Sequence, residues 1–214
     1  MLSALRTRRA AFWYLGPDRI VAAVVSRTER EPVLEACAAS YSAPVAGGSF
    51  APGVIEVAWV LGCERLVHVA ALAAAFCRIE AEPVATSPGH RSGVPAAVDE
   101  PAAEAAVAHG ANERRGAVSG ADGLGVWADE RAVAEATALF RRARLHLLAL
   151  DCEPCALSSL ADALGTSDAN GARRHHLSAV AVLAESESAA EALGDDLAVP
   201  VGLAVAWFGA GRAI

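Results

Sequence analysis

Two hydrophobic regimes alternate along the chain. Residues 12–15 (FWYL) and 20–25 (IVAAVV) are short aromatic or β-branched runs, closed by Gly16-Pro17 and by the polar stretch 27–32. Runs bounded in this way predict strands. A third strand is expected over 33–41, and the short polar connections make the three an antiparallel meander. Then the period changes. Val54, Val57, Ala58 and Leu61 recur at i, i+3, i+4 and i+7 with Gly62 just beyond, which is one apolar helix face followed by a stop signal. Residues 66–72 read as a buried strand in which His68 is a hydrogen-bonded core residue rather than a ligand.

Residues 84–99 break the pattern with Pro, Gly and Ser and predict a loop or linker. Beyond it, 101–109 is helix-prone, and 116–128 holds two short strand candidates around a turn at 120–123. Asp129 is placed to cap a longer helix with Val133, Ala136, Phe140 and Ala143 on one face. Arg141, Arg142 and Arg144 fall at its carbonyl end, where the dipole favours positive charge. A strand over 145–150 leads into a helix whose face, Leu157, Leu160, Ala161 and Leu164, stops at Gly165. After a polar loop (165–174) come a last strand over 177–183, a short helix around 189–193 and an apolar run over 197–211. Trp59, Trp127 and Trp207 are assigned to the core. Three antiparallel strands, a helix and a further strand is the opening order of ribonuclease-H-like and actin-like folds.

Composition sharpens this outline. The chain has 214 residues, 54% apolar and 20% charged, which predicts a packed core. A formal charge of -7, with 18 Lys and Arg spread along the chain, argues against a nucleic-acid surface. The one dense basic patch, Arg6, Arg8 and Arg9, reads as a solvated tail. No secretory signal is expected, because Pro17-Asp18-Arg19 interrupts the apolar stretch after Arg9. No membrane span is expected either. The window 54–77 carries Glu56, Glu64, Arg65 and His68, and the run 197–211 falls short of the ~20 residues a spanning helix needs. Five scattered cysteines, an odd number, predict reduced thiols in a cytoplasm.

Cys152-Glu153-Pro154-Cys155 sits where strand gives way to helix. Thioredoxin-like dithiol oxidoreductases present their nucleophile in this way, because free backbone amides and the helix dipole stabilise a thiolate. Here Asp151 and Glu153 flank Cys152 and oppose that charge, and the aromatic residue usual before the first thiol is missing. A zinc site needs two more ligands, and the nearby His175 and His176 are adjacent and poorly placed to aim at one ion, so no metal is expected. The competing reading makes both thiols small buried hydrophobes, with Pro154 in the first helical turn where its missing amide costs nothing. Redox chemistry at Cys152 and Cys155 stays as the alternative. No G-x-S-x-G, G-x-x-x-x-G-K or H-E-x-x-H string occurs.

Residues 128–165, ADERAVAEATALFRRARLHLLALDCEPCALSSLADALG, resemble the PilM family of type IV pilus assembly proteins, which are actin-like and related to FtsA. Asp151, Glu153, Ala156 and Leu157 match its D-x-E-x-x-A-L stretch, and the two thiols occupy variable positions. Gly202, Leu203 and Ala204 match its closing helix, and LGPDRIVAAVVS followed by EPVLEACAAS is similar to its first hairpin. The resemblance implies an α/β protein with an actin-like (ribonuclease-H-like) mixed sheet and helices, a small inserted subdomain and a truncated second lobe. The expected divisions are 10–83 for the first part of the core, 84–99 for the linker, 100–144 for the subdomain, 145–165 for the return to the core, and 173–214 for the curtailed second lobe.

Departures from the family pattern bear on function. Tyr14 stands where the family has the Asp that organises magnesium near the nucleotide phosphates, and a neutral phenol cannot supply that charge. The family's Lys in the second strand is Val21, its second phosphate loop has no clear counterpart, and 165–202 is short for the subdomains that close over ATP. Gly16 and Gly202 are the remnant of the nucleotide site. ATP hydrolysis is not expected, the departures argue against ATP binding, and no cofactor is expected. What the resemblance implies is a non-catalytic cytoplasmic scaffold at the inner face of the inner membrane. It would bind the cytoplasmic tail of a PilN-like inner-membrane partner in a type IV pilus or related secretion system, as an extended peptide in an apolar groove.

Overall fold

The apolar run near the amino end becomes a strand buried on both faces. In the computed structural model, which describes residues 9–29, 31–43, 48–81, 113–116 and 124–209, strands β1 (Arg9–Leu15), β2 (Arg19–Arg27) and β3 (Pro32–Tyr41) form the expected antiparallel meander. Helix α1 (Val54–Leu61) follows, ending at Gly62 with φ 56°, a left-handed conformation that glycine adopts without a Cβ clash. Strand β4 (Val67–Leu72) then pairs parallel with β1. The short strands β5 (Cys77–Ala81), β6 (Glu113–Gly116) and β7 (Leu124–Asp129) make a separate antiparallel sheet in the order β5-β7-β6.

Helix α2 (Glu130–Arg142) begins where the Asp129 carboxylate accepts a hydrogen bond from the Ala132 amide at 2.9 Å. Strand β8 (His146–Cys152) returns to the main sheet, parallel to β4, and runs directly into α3 (Glu153–Leu164). Apart from short 3-10 turns, the described elements that follow are α4 (Ala169–His175), β9 (Ala181–Val182), α5 (Glu187–Leu193) and α6 (Ala198–Gly209). Among the described residues the main sheet has six strands in the order β8-β4-β1-β2-β3-β9.

Because side chains alternate along a strand, central β1 feeds two cores. Phe12 and Tyr14 face α3 and α6, whereas Ala11, Trp13 and Leu15 face α1 and α2. Phe12 meets Phe208 edge to face with centroids 5.6 Å apart, and Trp13 meets Phe140 in the same way at 5.5 Å. Each buried ring contributes roughly 2–3 kcal/mol through the apolar surface it removes from water. Trp13 also donates its indole N–H to His68 Nδ1 at 2.9 Å. His68 is the expected hydrogen-bonded core residue, fully buried in β4.

Several expectations need correcting. The stretch 165–174 is not all loop, since the Asp168 carboxylate caps α4 by accepting from the Gly171 amide at 2.6 Å. Of the strand expected over 177–183, only Ala181–Val182 pairs, with β3. The segment before it is drawn into a 3-10 turn, with His176 Nδ1 lying 2.6 Å from the Arg173 carbonyl. Trp59 is 76% exposed on the outer face of α1, and fully buried Trp13 takes the core position instead. Residues 173–209, expected as a second lobe, fold back on the first sheet: β9 extends its edge and α6 covers one face. A helix apolar all round must be enclosed, and α6 buries eight residues there. By length and composition alone Ala184–Gly209 is apolar enough to cross a membrane, but half of its most apolar window is buried in the fold. The helix expected over 101–109, the linker 84–99, the turn 120–123, Arg6, Arg8 and the Trp127 side chain lie outside the described residues.

Candidate functional site

The β1–β2 turn, which the sequence aligns with a phosphate loop, is filled by the chain's own groups. The Gly16 amide donates to the Arg19 carbonyl at 2.9 Å, and the Gly16 carbonyl accepts from the Ala51 amide at 3.0 Å. A Cβ on Gly16 would stand 2.8 Å from the Tyr14 ring, so glycine is required by the close approach of that side chain. Tyr14 is 5% exposed, and burial, reinforced by the negative charge of Glu153, pushes its phenol up to about 12. It therefore stays neutral at physiological pH. Arg19 lies over the Tyr14 ring, 5.2 Å from its centroid, and pairs with Asp196 at 3.0 Å. The loop's amide, ring and cation are all engaged within the fold.

Glu153 braces three elements. Its carboxylate accepts from the Ala74 amide at 2.8 Å, just beyond β4, and pairs with the Arg173 guanidinium of α4. Ala156 and Leu157, one turn later, are core residues of α3, and Gly202 of α6 lies against the Ala156 backbone. Gly202 is therefore placed at a helix crossing, and Gly16 lies in the β1–β2 turn. The four signature positions, Asp151, Glu153, Ala156 and Leu157, all sit at the junction of β8 and α3.

The thiols gather at the same junction. Cys152 is the extended last residue of β8, with φ -129° and ψ 151°, and Cys155 lies in the first turn of α3. Their Sγ atoms are 2.9 Å apart, and each residue is 6% exposed. Asp151 accepts from the Cys152 amide at 2.8 Å and sits 3.8 Å from its Sγ. Burial raises the Asp151 carboxyl to about 6. Sequence reasoning missed one neighbour, Cys77 at the start of β5, which packs against the pair. S–H donation, first from Cys155 and then from Cys77, lowers the Cys152 thiol against the opposing effect of burial. Cys155 and Cys77 are raised, by their interaction with Cys152 first and by burial second, and the Cys77 thiol also donates to the Ala73 carbonyl at 3.5 Å. The expectation that both flanking carboxylates bear on Cys152 is corrected: Glu153 is engaged by Arg173 and Ala74, and Asp151 alone lies beside the sulfur.

Beside this junction, between β8 and α6, is a cavity of about 350 Å³. Val69, Ala149, Leu150, Leu203 and Trp207 give it apolar walls, and Asp151 is the charged residue in its lining.

No protein-family model and no curated protein matches the chain. Solved structures do. One is a chain of a "PilM-PilN type IV pilus biogenesis complex", 14% identical over 92% of this chain and 98% of the other, with a TM-score of 0.58. That likeness is one of fold, and it bears out the expected mixed sheet with helices. A second is the cytoplasmic domain of EpsL, an inner-membrane component of the type II secretion system of Vibrio cholerae. It is 12% identical over 70% of this chain and 59% of the other, with a TM-score of 0.40, too low to bear on this protein.

Proposed function

We propose that this chain is a non-catalytic cytoplasmic scaffold of a type IV pilus or related secretion assembly, which binds the cytoplasmic tail of a PilN-like inner-membrane protein. The observation that carries the reading is the end-to-end match in fold to a chain of a PilM-PilN complex, over 92% of one and 98% of the other. On this reading the small sheet β5-β7-β6 plays the part of the subdomain expected over 100–144, with β5 added from the first part of the core, and the elements after α3 complete the first lobe rather than forming a second. Two features of the site favour binding over ATP chemistry. Tyr14 is neutral and buried where a carboxylate would hold magnesium, and the Gly16 amide is spent on Arg19 instead of facing a phosphate.

The cavity beside β8 supplies an apolar floor for an extended tail, and β8 is the outermost strand of the sheet among the described residues. Peptides that join a sheet edge gain main-chain hydrogen bonds from the strand and specificity from pockets for alternate side chains. The test is a pull-down from solubilised membranes with the tagged protein. Recovery of an inner-membrane pilus or secretion component without added nucleotide is expected, and repeated recovery of none would overturn the reading.

The alternative, dithiol redox chemistry at Cys152 and Cys155, has the lowered Cys152 thiol in its favour. Attack on another protein's disulfide needs an accessible sulfur, and both are 6% exposed.

A further inference from the structure

We propose that Cys77, Cys152, Cys155 and Asp151 form a binding site for a thiophilic divalent cation, with zinc the best fit. The ligand atoms of Asp151, Cys152 and Cys155 lie within 4.8 Å of one another, and Cys77 packs against the two thiols from the other sheet. Three sulfurs and one carboxylate oxygen are a donor set that tetrahedral zinc accepts. Calcium and magnesium prefer oxygen donors, so soft sulfur selects against both.

The local backbone suits the purpose. A C-x-x-C pair with its first residue extended and its second in the first turn of a helix turns both sulfurs to one side, and here they stand 2.9 Å apart. Zn–S bonds of about 2.3 Å at tetrahedral angles set sulfurs roughly 3.7 Å apart, so the ion spreads the pair by less than an ångström. A disulfide would join two sulfurs and leave Cys77 outside the bond, whereas a metal uses all three. Ionised, the four ligands carry four negative charges against two on the cation. The amino end of the twelve-residue helix α3, whose Cys155 amide bonds Cys152, offsets part of this excess.

Burial makes the site structural rather than catalytic. With four protein ligands filling a tetrahedral shell and Cys152 and Cys155 6% exposed, a bound ion keeps no coordination position for substrate. It would tie the start of β5, in the three-stranded sheet, to the end of β8, in the six-stranded one. The orientation of the small sheet on the large one would thereby depend on metal.

The experiment uses the full chain, reduced and stripped of metal, titrated with zinc and, as a spectroscopic probe, with cobalt(II). Expected are one equivalent of zinc by elemental analysis and, with cobalt, a thiolate charge-transfer band with tetrahedral d–d bands. Cys77→Ser should weaken the charge-transfer band by the share of one thiolate, and Cys152→Ser should abolish tight binding. Cys37→Ser, on β3, should change neither. As a readout on the unaltered chain, in urea just below its unfolding transition, where the buried thiols open to reagent, zinc should slow alkylation of Cys77, Cys152 and Cys155 and a chelator should restore it. A folded, reduced protein that takes up no metal, a cobalt spectrum indifferent to Cys77→Ser, or alkylation of all three thiols unaffected by zinc would each overturn the proposal.

Discussion

Gly202 lies against Ala156 where α6 crosses α3: a Cβ there would collide with the Ala156 carbonyl oxygen and stand 2.8 Å from its carbon. The obstacle is backbone inside a helix, which cannot swing aside as a side chain can. A glycine that the sequence aligns with a nucleotide remnant is thus required by helix packing. Gly202→Ala should cost about 2–3 kcal/mol in urea denaturation, and Gly202→Val more, as overpacked cores do. If Gly202→Ala unfolds at the wild-type midpoint, the crossing is looser than described.

Glu153 and Arg173 form a pair that ties α3 to α4, with side-chain exposures of 10% and 26%. Removing one partner of a fully buried pair costs about 3–5 kcal/mol, and the partial exposure of Arg173 reduces this to roughly 2 kcal/mol for Glu153→Gln. Arg173→Met in the same chain should recover part of the loss, since it removes the stranded cation. Denaturation of both single variants and the double variant measures the coupling, and strict additivity would contradict a direct pair.

His68 is buried in its neutral form, and burial first, then the charge of His146, lowers its pKa from 6.5 to about 4. Between those values the unfolded chain binds the proton and the folded chain does not, so His68 makes stability fall as pH drops through that window. The full loss is roughly 3 kcal/mol, complete only near pH 4. Asp151 works in the opposite direction: its raised pKa favours the folded, protonated form between about 4 and about 6. That contribution is common to wild type and His68→Gln and cancels in their difference. The stability advantage of wild type over His68→Gln at pH 7.5 should therefore shrink on acidification to pH 5. A gap that widens would show that His68 is protonated in the fold.

Magnesium-ATP should leave the thermal midpoint of the protein unchanged, because Tyr14 brings no charge to the metal and the Gly16 amide is already bonded. Ligand at a hundred times its dissociation constant would stabilise by about 2.7 kcal/mol, which a thermal scan resolves easily. A clear magnesium-dependent upward shift would reinstate nucleotide binding.

The meander and α1 were legible in the sequence because each carries its own punctuation: Gly16-Pro17 closes β1, and Gly62 supplies the left-handed stop for α1. The β8–α3 junction was legible for the same reason, with Pro154 in the first helical turn and Gly165 at φ 63° at the end. Other elements take their structure from distant contacts. Helix α4 contains Gly171 and Asn170, both poor in helices, and forms from the Asp168 cap together with packing on α3. Trp59 occupies a position of helical spacing on the outward side of α1, and no local pattern separates it from a core tryptophan. At the site, the C-x-x-C pair and its neighbour Asp151 were visible. Cys77 was not, because only the approach of β5 to the end of β8 brings it there.

Calorimetry decides whether this fold serves as a nucleotide-independent receptor for an inner-membrane protein's tail. The synthetic cytoplasmic tail of the partner recovered from membranes would be titrated into the wild-type chain and into Ala206→Phe, which fills the cavity beside β8. The account predicts saturable binding without nucleotide, with a negative heat-capacity change from apolar burial, and weaker binding to a folded Ala206→Phe. No binding to the wild type, or binding that appears only with magnesium-ATP, would contradict it.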